Sequence, residues 1–346
     1  MATSNQTPVR LPSVRQLAAH LGVSTSTVMS VYGKLKERGL IESVAGSGSY
    51  LKGTPVSQPI RVTTNVPTAE AMQSGSWYAE LMGGLTVAAF KSGKMILLRA
   101  MDSLRDGEPD LSPQYREVAL VFPAQPCRQK LLSWASAHRL STIFLNRVDD
   151  NSTENFVSAD YFGTSRQLGR AFLQSERKRI LFIAHTPLSE ATSNRLRISG
   201  LLAGLNYGSD NGVHFEMIFT NSETNREAGR QGLLQYLEKH GTYPDAIYAP
   251  GDFMAVGCYL ELRERGIAVP EQVSIVGGTG LMLDRSECPL LTRMSHPYEA
   301  LGKELVSMML DQLAHPDRPC PGRILPMCWL GGGTTTEQEN ALLFPQ

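Results

Sequence analysis

The chain has 346 residues, 42% hydrophobic and 19% charged, and its 33 Lys and Arg balance 33 Asp and Glu to a formal net charge of zero. At roughly 100–200 residues per domain this length predicts two or three domains, and the composition excludes wholesale disorder. The sequence has no run of roughly 18 apolar residues, no secretory signal and no C-x-x-C pair among its five cysteines, so we expect a reduced, cytoplasmic protein without membrane contact.

Residues 1–53 are basic although the whole chain is neutral. They contain six Lys and Arg against two Asp and Glu, a balance of +4, so the other 293 residues carry 27 against 31, a balance of −4. This asymmetry is typical of a nucleic-acid-binding region joined to a larger domain. A solvated surface patch is the alternative that the charge balance alone leaves open.

Two short helices are predicted first. Ser13 and Gln16 have the spacing of a capping box, which marks a helix start. Gly22 and Ser24 predict the end of that helix and the N-cap of the next, across a turn of the helix-turn-helix kind, and Gly39 ends the second helix. Apolar residues recur at helical spacing on one face of each helix, namely Leu17 and Leu21 in the first and Val28, Val31 or Tyr32, and Leu35 in the second.

Two short β-rich runs, 40–44 and 50–51, flank the Gly/Ser segment 45–49 and predict a hairpin. The sequences LPSVRQLA at 11–18, GVS at 22–24, GLIE at 39–42 and GSGSY at 46–50 resemble the GntR-type winged helix over about residues 10–53. The resemblance implies that the helix from Thr25 enters the major groove of an operator and that the hairpin turn approaches the minor groove. The residues it implies at the DNA are Arg15, Ser24, Thr25, Ser26, Thr27, Gly46, Ser47 and Gly48.

Each of these residues also has a simpler reading, and Ser24 in particular suits a helix cap. Many relatives carry Arg at the positions of Thr25 and Met29, so base specificity is not carried over from the family. The family also has a helix before the LPS motif, whereas ten residues precede Leu11 here. We therefore expect the given start to lie inside a longer protein, the alternative being an incomplete winged helix.

Residues 54–59, rich in proline and polar side chains, predict a linker between the winged-helix domain at 1–53 and a larger domain at 60–336. Beyond the linker, β-rich runs alternate with helical patterns, which predicts an α/β fold with parallel sheets covered on both faces. About 285 residues are many for one sheet, so two lobes around a cleft are expected. The predicted strands are 95–98, 118–122, 142–145, 180–184, 216–219, 245–249 and 273–276, and the predicted helices are 79–91, 127–138, 163–174, 194–206, 226–239 and 252–265.

The motifs SNRLRISG at 193–200, PDAIYA at 244–249, DFMAVG at 252–257, GIAVPEQVSIVG at 266–277 and PLLT at 289–292 resemble the effector-binding domain of the LacI/GalR family. The resemblance spans about 58–336. It implies two Rossmann-like lobes of the type I periplasmic-binding-protein kind, joined by three crossovers and closing around a small ligand. The implied lobes are about 60–158 with 291–320, and 160–290 with 321–336.

Carried over position by position, the resemblance places Arg197 in the cleft as a donor to ligand hydroxyls or a carboxylate. Asp252 is implied as an acceptor of ligand hydroxyls, although an N-cap of the helix that follows is the favoured alternative. A hinge-side surface position is the alternative for Arg197, and core packing the alternative for Tyr298. The full set of expected effector-binding residues is Trp77, Tyr78, Asn146, Ser193, Arg197, Asp252, Thr279 and Tyr298.

Two departures from the family bear on the ligand. Thr279 replaces an acidic residue, and Gly251 stands where Asn commonly precedes Asp252, so the pocket is less suited to a neutral pyranose. A sugar derivative and a small acid both remain open.

The sequence thus predicts a ligand-responsive, homodimeric transcription regulator, expected to be a repressor, which binds double-stranded operator DNA and a small effector. We expect no catalytic residues, metal or cofactor, because the chain has no G-x-S-x-G elbow, no Walker loop and no H-E-x-x-H helix. The alternatives are a small-molecule-binding protein with a defective DNA-binding domain and, less favoured, a winged helix fused to an enzyme.

Overall fold

The computed structural model describes residues 11–21, 24–37, 41–44, 48–51, 59–67, 77–101, 115–123, 125, 127–147, 154–185, 192–220, 225–279, 288, 291–316 and 318–344. The chain divides into two compact units, residues 1–59 and residues 60–346. We call the first unit the head and the second the body, and each is described by itself.

The head contains two helices followed by a hairpin. The helices are α1 (Val14–Leu21) and α2 (Thr25–Glu37), and the strands β1 (Ile41–Val44) and β2 (Gly48–Leu51) pair antiparallel. The capping box before α1 is confirmed: the Ser13 amide donates to Gln16 Oε1 at 2.9 Å, and the Gln16 amide donates to Ser13 Oγ at 3.3 Å.

A small apolar core joins the elements of the head. Ala18 of α1, Val28 of α2 and Ile41 of β1 are all buried. The Tyr32 hydroxyl donates to the Pro12 carbonyl at 2.8 Å, whereas Val31 is 47% exposed, so Tyr32 supplies the inner position that the sequence left open between the two. Residues 45–47 of the predicted turn segment 45–49 lie outside the described residues, and so do the side chains of Leu21 and Leu35.

The body contains two six-stranded sheets, one in each of two lobes. The first sheet has the strand order β13-β7-β6-β5-β3-β4, and the second has the order β14-β12-β11-β10-β8-β9. All pairings are parallel except the edge pair of β12 and β14. The first sheet consists of β3 (Ile60–Thr64), β4 (Ile96–Ala100), β5 (Arg116–Val121), β6 (Ser141–Leu145), β7 (Phe156–Ala159) and β13 (Arg323–Leu325). The second consists of β8 (Arg179–Ala184), β9 (His214–Phe219), β10 (Ala246–Tyr248), β11 (Ser274–Gly277), β12 (Thr292–Ser295) and β14 (Cys328–Leu330).

Helices cover both faces of each sheet. The first lobe has α3 (Trp77–Lys91), α4 (Arg128–Ala137) and α9 (Tyr298–Ala314). The second lobe has α5 (Tyr161–Gln174), α6 (Thr192–Gly204), α7 (Arg226–His240), α8 (Asp252–Glu264) and α10 (Glu337–Leu343). Central strands such as β5 and β8 are buried along almost their whole length, as expected of parallel strands covered twice. The predicted α/β fold is therefore confirmed, and every predicted strand and helix is present with its ends shifted by at most two residues.

The chain crosses between the lobes three times: after β7, after β12 and after β13. The Asp160 amide in the first crossover donates to the Leu325 carbonyl at the third, at 2.8 Å. Two expected boundaries were wrong. Thr292 pairs with Val276, so β12 extends the second lobe rather than the first, and Arg323 pairs with Val157, so β13 belongs to the first lobe rather than the second. The sequence alone did not indicate these ladder partners.

The body also continues beyond the expected end at residue 336. Helix α10 begins with a capping box between Thr336 and Glu339, and it packs against α5. The fully buried Glu339 carboxylate accepts from Arg177 Nε at 3.0 Å and from Ser274 Oγ at 2.7 Å. The hydrogen bonds of this carboxylate therefore anchor α10 to the second lobe.

Helix pairs within the lobes cross at glycines. At six such glycines, an added Cβ atom would lie between 1.9 and 2.3 Å from a backbone atom of the facing helix. The positions are Gly84 and Gly302 between α3 and α9, Gly169 and Gly204 between α5 and α6, and Gly229 and Gly257 between α7 and α8. Among the described residues, no helix is long and apolar enough to cross a membrane.

Candidate functional site

The first turn of α2 presents small polar side chains to solvent. Ser24, Thr25 and Ser26 are exposed, and the hydroxyls of Ser24 and Ser26 lie 2.7 Å apart. The turn contains no acidic residue. The amides at a helix N-terminus carry partial positive charge, and hydroxyls both donate and accept, so this turn is suited to phosphate and base contacts.

The other residues expected at the DNA are placed as follows. Arg15 is exposed on α1, and Gly48 begins β2 with a φ of 123°, a left-handed conformation that favours glycine. Gly46 and Ser47 lie outside the described residues, as does the side chain of Thr27.

In the body, polar side chains collect in the cleft where the carboxyl ends of the strands from both lobes meet the crossovers. Arg197 projects from α6 into this cleft and is only 5% exposed. Its guanidinium carbon lies 4.4 Å from the ring centroid of Tyr161, and one terminal nitrogen donates to the Gly278 carbonyl at 3.3 Å. Arg197 is therefore an interior residue of the cleft rather than a surface arginine.

His296, in the second crossover, connects the two lobes. Its Nδ1 donates to the Thr279 carbonyl at 3.2 Å, because a carbonyl oxygen can only accept, and its Nε2 lies 3.1 Å from the Tyr161 hydroxyl. The same hydroxyl donates to Asn146 Oδ1, which directly follows β6, at 3.1 Å. A chain of polar contacts thus runs from the first lobe through the hinge to the second.

Thr279 and Tyr298 extend this series of polar contacts. The Tyr298 hydroxyl, at the start of α9, donates to the Thr279 carbonyl at 2.7 Å. Burial and the nearby Asp252 carboxylate raise the pKa of Tyr298, and burial likewise raises the pKa of Tyr161, so both phenols stay protonated donors.

Asp252 is not the N-cap of α8, the role that the sequence favoured. The N-cap of α8 is Gly251, and Asp252 is the first residue of the helix. Instead Oδ1 accepts from the amides of Gly278 at 2.9 Å and Thr279 at 3.1 Å, while Oδ2 lies 3.9 Å from Nε of Arg293. The carboxylate fixes the backbone after β11, and the capping interpretation was wrong because α8 begins at Asp252 itself.

Aromatic rings form the first-lobe wall of the cleft. Trp77, at the start of α3, contacts His296 and Tyr78 edge to face at centroid distances of 5.5 and 5.1 Å. The Tyr78 hydroxyl accepts from the side-chain amide of Gln125. The expected pair Trp77 and Tyr78 is therefore brought to the same cleft as Arg197, by way of His296 and Tyr161.

Asn146 and Ser193 occupy the margins of this set. Asn146 adopts a left-handed conformation with a φ of 74°, and its side chain also accepts from Ser158 Oγ at 3.4 Å. Ser193 lies one helical turn before Arg197 on α6 and is half-buried. Its place beside Arg197 thus follows from helix periodicity alone.

Sequence reasoning missed Tyr161, His296 and Arg293. Burial and the charge of Arg197 lower the pKa of His296 to about 3, so its imidazole is neutral at physiological pH. Tyr161 directly follows the first crossover and His296 lies in the second, and that position was the available signal. For His296 it could not be read, because β12 was assigned to the wrong lobe.

Several buried polar atoms of the cleft make no hydrogen bond to any residue that the structure describes. They are Trp77 Nε1, Gln125 Oε1, Arg197 Nε, Thr279 Oγ1 and Arg293 Nε. Buried polar groups in proteins are normally paired, so this concentration is typical of a binding site. Within the same described ranges, no group of three His, Cys, Asp or Glu side chains is placed to hold a metal ion.

Comparisons with known proteins agree with this arrangement. Residues 7–51 match the family of bacterial regulatory proteins of the gntR type, and residues 170–335 match the periplasmic binding protein-like domain. The chain is 22% identical over 317 residues to the HTH-type transcriptional regulator AscG of Escherichia coli (strain K12), covering 88% of this chain and 92% of AscG. It is 23% identical over 318 residues to the HTH-type transcriptional repressor PurR of Proteus mirabilis (strain HI4320), covering 88% and 91%.

Solved structures show the same fold. A complex of the transcriptional regulator CelR with cellobiose superposes with a TM-score of 0.65 at 18% identity, covering 94% of this chain and all of that chain. A dimeric Lac repressor with a C-terminal deletion superposes with a TM-score of 0.62 at 19% identity, covering 80% and 98%.

These matches define the class of the protein. Its N-terminal part carries a domain of the gntR family of bacterial regulatory proteins, and a periplasmic-binding-protein-like domain follows. The resemblances to the GntR-type winged helix and to LacI-type regulators are thereby confirmed.

Proposed function

We propose that this protein binds operator DNA through the first turn of α2 and the β1–β2 hairpin, and that a small effector bound between the lobes of the body changes its affinity for DNA. One observation carries the proposal: the same chain holds a winged helix with an exposed polar first turn and a cleft whose buried polar atoms have no hydrogen-bond partner within the described ranges. We propose that the protein represses transcription, in keeping with relatives named as repressors. We also propose that it acts in the cytoplasm.

The proposed effector contacts are Arg197, Ser193, Thr279 and Trp77, which line the cleft, with Tyr78, Asn146 and Tyr298 behind them. Asp252 contributes indirectly, because its carboxylate is used to fix the Gly278 and Thr279 amides. The second lobe thus supplies the positive charge of Arg197, and the first lobe supplies the aromatic rings of Trp77 and Tyr78. A ligand that touches both would change the free energy of lobe closure.

We further propose that the working species is a homodimer. A single winged helix offers few base contacts, and two linked heads multiply the affinity of each for half-sites about one helical turn apart. By linkage, a ligand that changes DNA affinity must have its own affinity changed by DNA by the same factor.

The test is a gel shift of the full chain on DNA from upstream of its own gene, at several salt concentrations. Binding should weaken linearly in log K against log salt, because Lys and Arg displace counterions from phosphates. Arg15→Gln should weaken binding and reduce that slope by about 1. The matched control is Arg166→Gln, an exposed arginine on α5 of the body.

An unaltered slope in Arg15→Gln would remove Arg15 from the interface. If the wild-type chain gave no shift at any salt concentration, the proposed function would be wrong.

A further inference from the structure

The cleft contains an arginine whose charge has no carboxylate partner in the described part of the chain. Three arginines of the described body are nearly fully buried: Arg61, Arg177 and Arg197. Arg61 pairs with Glu117 and Arg177 with Glu339, each at 3.0 Å. Arg197, the most buried of the three, has no carboxylate within 4.0 Å among the residues that the structure describes. Since an unpaired buried charge is costly, Arg197 differs from the structural arginines around it.

The neighbours of Arg197 do not cancel this charge. The nearest acidic group of the site, Asp252, accepts two backbone amides and lies 3.9 Å from Nε of Arg293. His296 is neutral, as the lowered pKa of its imidazole requires. Among the described residues around the Asp252 carboxylate, the guanidiniums of Arg197 and Arg293 therefore outnumber this one negative charge.

The polar atoms left without partners are mostly donors. Trp77 Nε1, Arg197 Nε and Arg293 Nε can only donate, and Thr279 Oγ1 can donate. Gln125 Oε1 is the acceptor in the set. A ligand that satisfies them must be rich in acceptor oxygens, and guanidinium groups recognise carboxylates and phosphates by paired hydrogen bonds.

We infer that the effector is an anion, whose carboxylate or phosphate group pairs with Arg197 in the interlobe cleft while the rest of the molecule reaches toward Trp77. This inference rests on the proposed function in one respect, that the cleft is an effector site. It narrows the open choice between a sugar derivative and a small acid to a molecule that carries a negative charge.

The test measures the melting temperature of the full chain while sodium phosphate or sodium succinate replaces sodium chloride at constant ionic strength. The three proteins compared are the wild type, Arg197→Met and the control Arg195→Met. Arg195 lies two residues away on α6, is half-buried and donates to Thr192 Oγ1 at 3.0 Å. The control loses the same charge from the same helix, and the head is identical in all three, so general anion effects cancel.

In the wild type and in Arg195→Met, at least one of the two anions should stabilise the protein in a saturable manner, by about 2–4 °C more than it stabilises Arg197→Met. Stabilisation by phosphate alone indicates a phosphate ester, and stabilisation by succinate alone indicates a carboxylic acid. In chloride, Arg197→Met should melt at or above the wild-type temperature, because the substitution removes an unpaired buried charge.

Equal responses of all three proteins to both anions would overturn the inference. So would an Arg197→Met chain that fails to fold or melts well below the wild type in chloride, because Arg197 would then have a structural partner. Neither outcome depends on DNA binding, so the inference and the proposed function can fail separately. If the protein responds to an anion through Arg197 but shifts no DNA, the anion site is supported and the proposed DNA-binding function is wrong.

Discussion

At the scale of single residues, the side chains of the cleft differ in role. Some stabilise the fold, and others are available to bind a ligand. Asp252 uses its carboxylate on the amides of Gly278 and Thr279, so its charge supports the backbone. Arg197 contacts the Tyr161 ring and the Gly278 carbonyl, and among the described residues its Nε has no acceptor. The family motif indicated both residues, but burial and partners distinguish their roles.

His296 should make the stability of the body depend on pH. Its pKa is lowered to about 3 by burial and by Arg197, and its other neighbours are Tyr161, Tyr298, Trp77 and the Thr279 carbonyl. Below its ordinary pKa of about 6.5, the unfolded chain binds a proton that the folded chain does not, so the free energy of unfolding falls as the pH falls from about 6.5 toward 3. Between pH 6.5 and 5 the loss from this group is about 2 kcal/mol.

Urea unfolding at pH 7 and pH 5 measures this effect. His296→Gln should lose about 2 kcal/mol less than the wild type between the two values. His315→Gln, at the exposed end of α9, controls for the removal of one histidine. If wild type and His296→Gln lost the same amount, the folded protein would have to protonate His296 as readily as the unfolded chain does.

At the scale of elements, close helix contacts hold each lobe in one arrangement. Helix α3 meets the start of α9 at Gly84, where a Cβ atom would lie 2.3 Å from the Tyr298 carbonyl oxygen. Tyr298 in turn donates to Thr279 across the cleft. The packing of two helices in the first lobe is therefore linked directly to the site.

Gly84→Ala should destabilise the body by about 1–3 kcal/mol, because the added methyl group overlaps the backbone of α9. The adjacent Gly83→Ala is the matched control, since a Cβ there has nothing within 4 Å. It should be stabilising by about 0.5–1 kcal/mol, because alanine favours a helix interior over glycine. Thermal unfolding of both variants checks the pair, and equal stability of the two would show that α3 and α9 are not in contact at Gly84.

At the scale of the whole molecule, sequence patterns predicted the architecture better than the site. Alternating β-rich and helical runs placed seven strands and six helices to within two residues, because parallel sheets impose long, regular periodicity. The lobe membership of β12 and β13 was wrong, because the choice of ladder partner is a long-range contact without a local signal. His296 was missed for the same reason, because it follows β12 in the second crossover. Tyr161 was missed because its contacts with Arg197, His296 and Asn146 are long-range.

Helix α10 was missed for another reason. Its capping residues Thr336 and Glu339 have the spacing of a capping box, but the helix has only seven residues. Its stability comes from tertiary bonds of Glu339 to Arg177 and Ser274 rather than from its own length. Short elements held by distant partners are the part of the body that local patterns cannot indicate.

We propose that ligand binding in the body changes DNA binding by the head. Fluorescence anisotropy measures this coupling. Labelled DNA from upstream of the gene is titrated with the full chain, with and without an anionic metabolite that raises the melting temperature of the wild type but not of Arg197→Met. This compound should change the DNA dissociation constant of the wild type by about 5–150-fold, while Arg197→Met should bind DNA with unchanged affinity in its presence. An unchanged dissociation constant in the wild type at saturating ligand would contradict the proposed coupling.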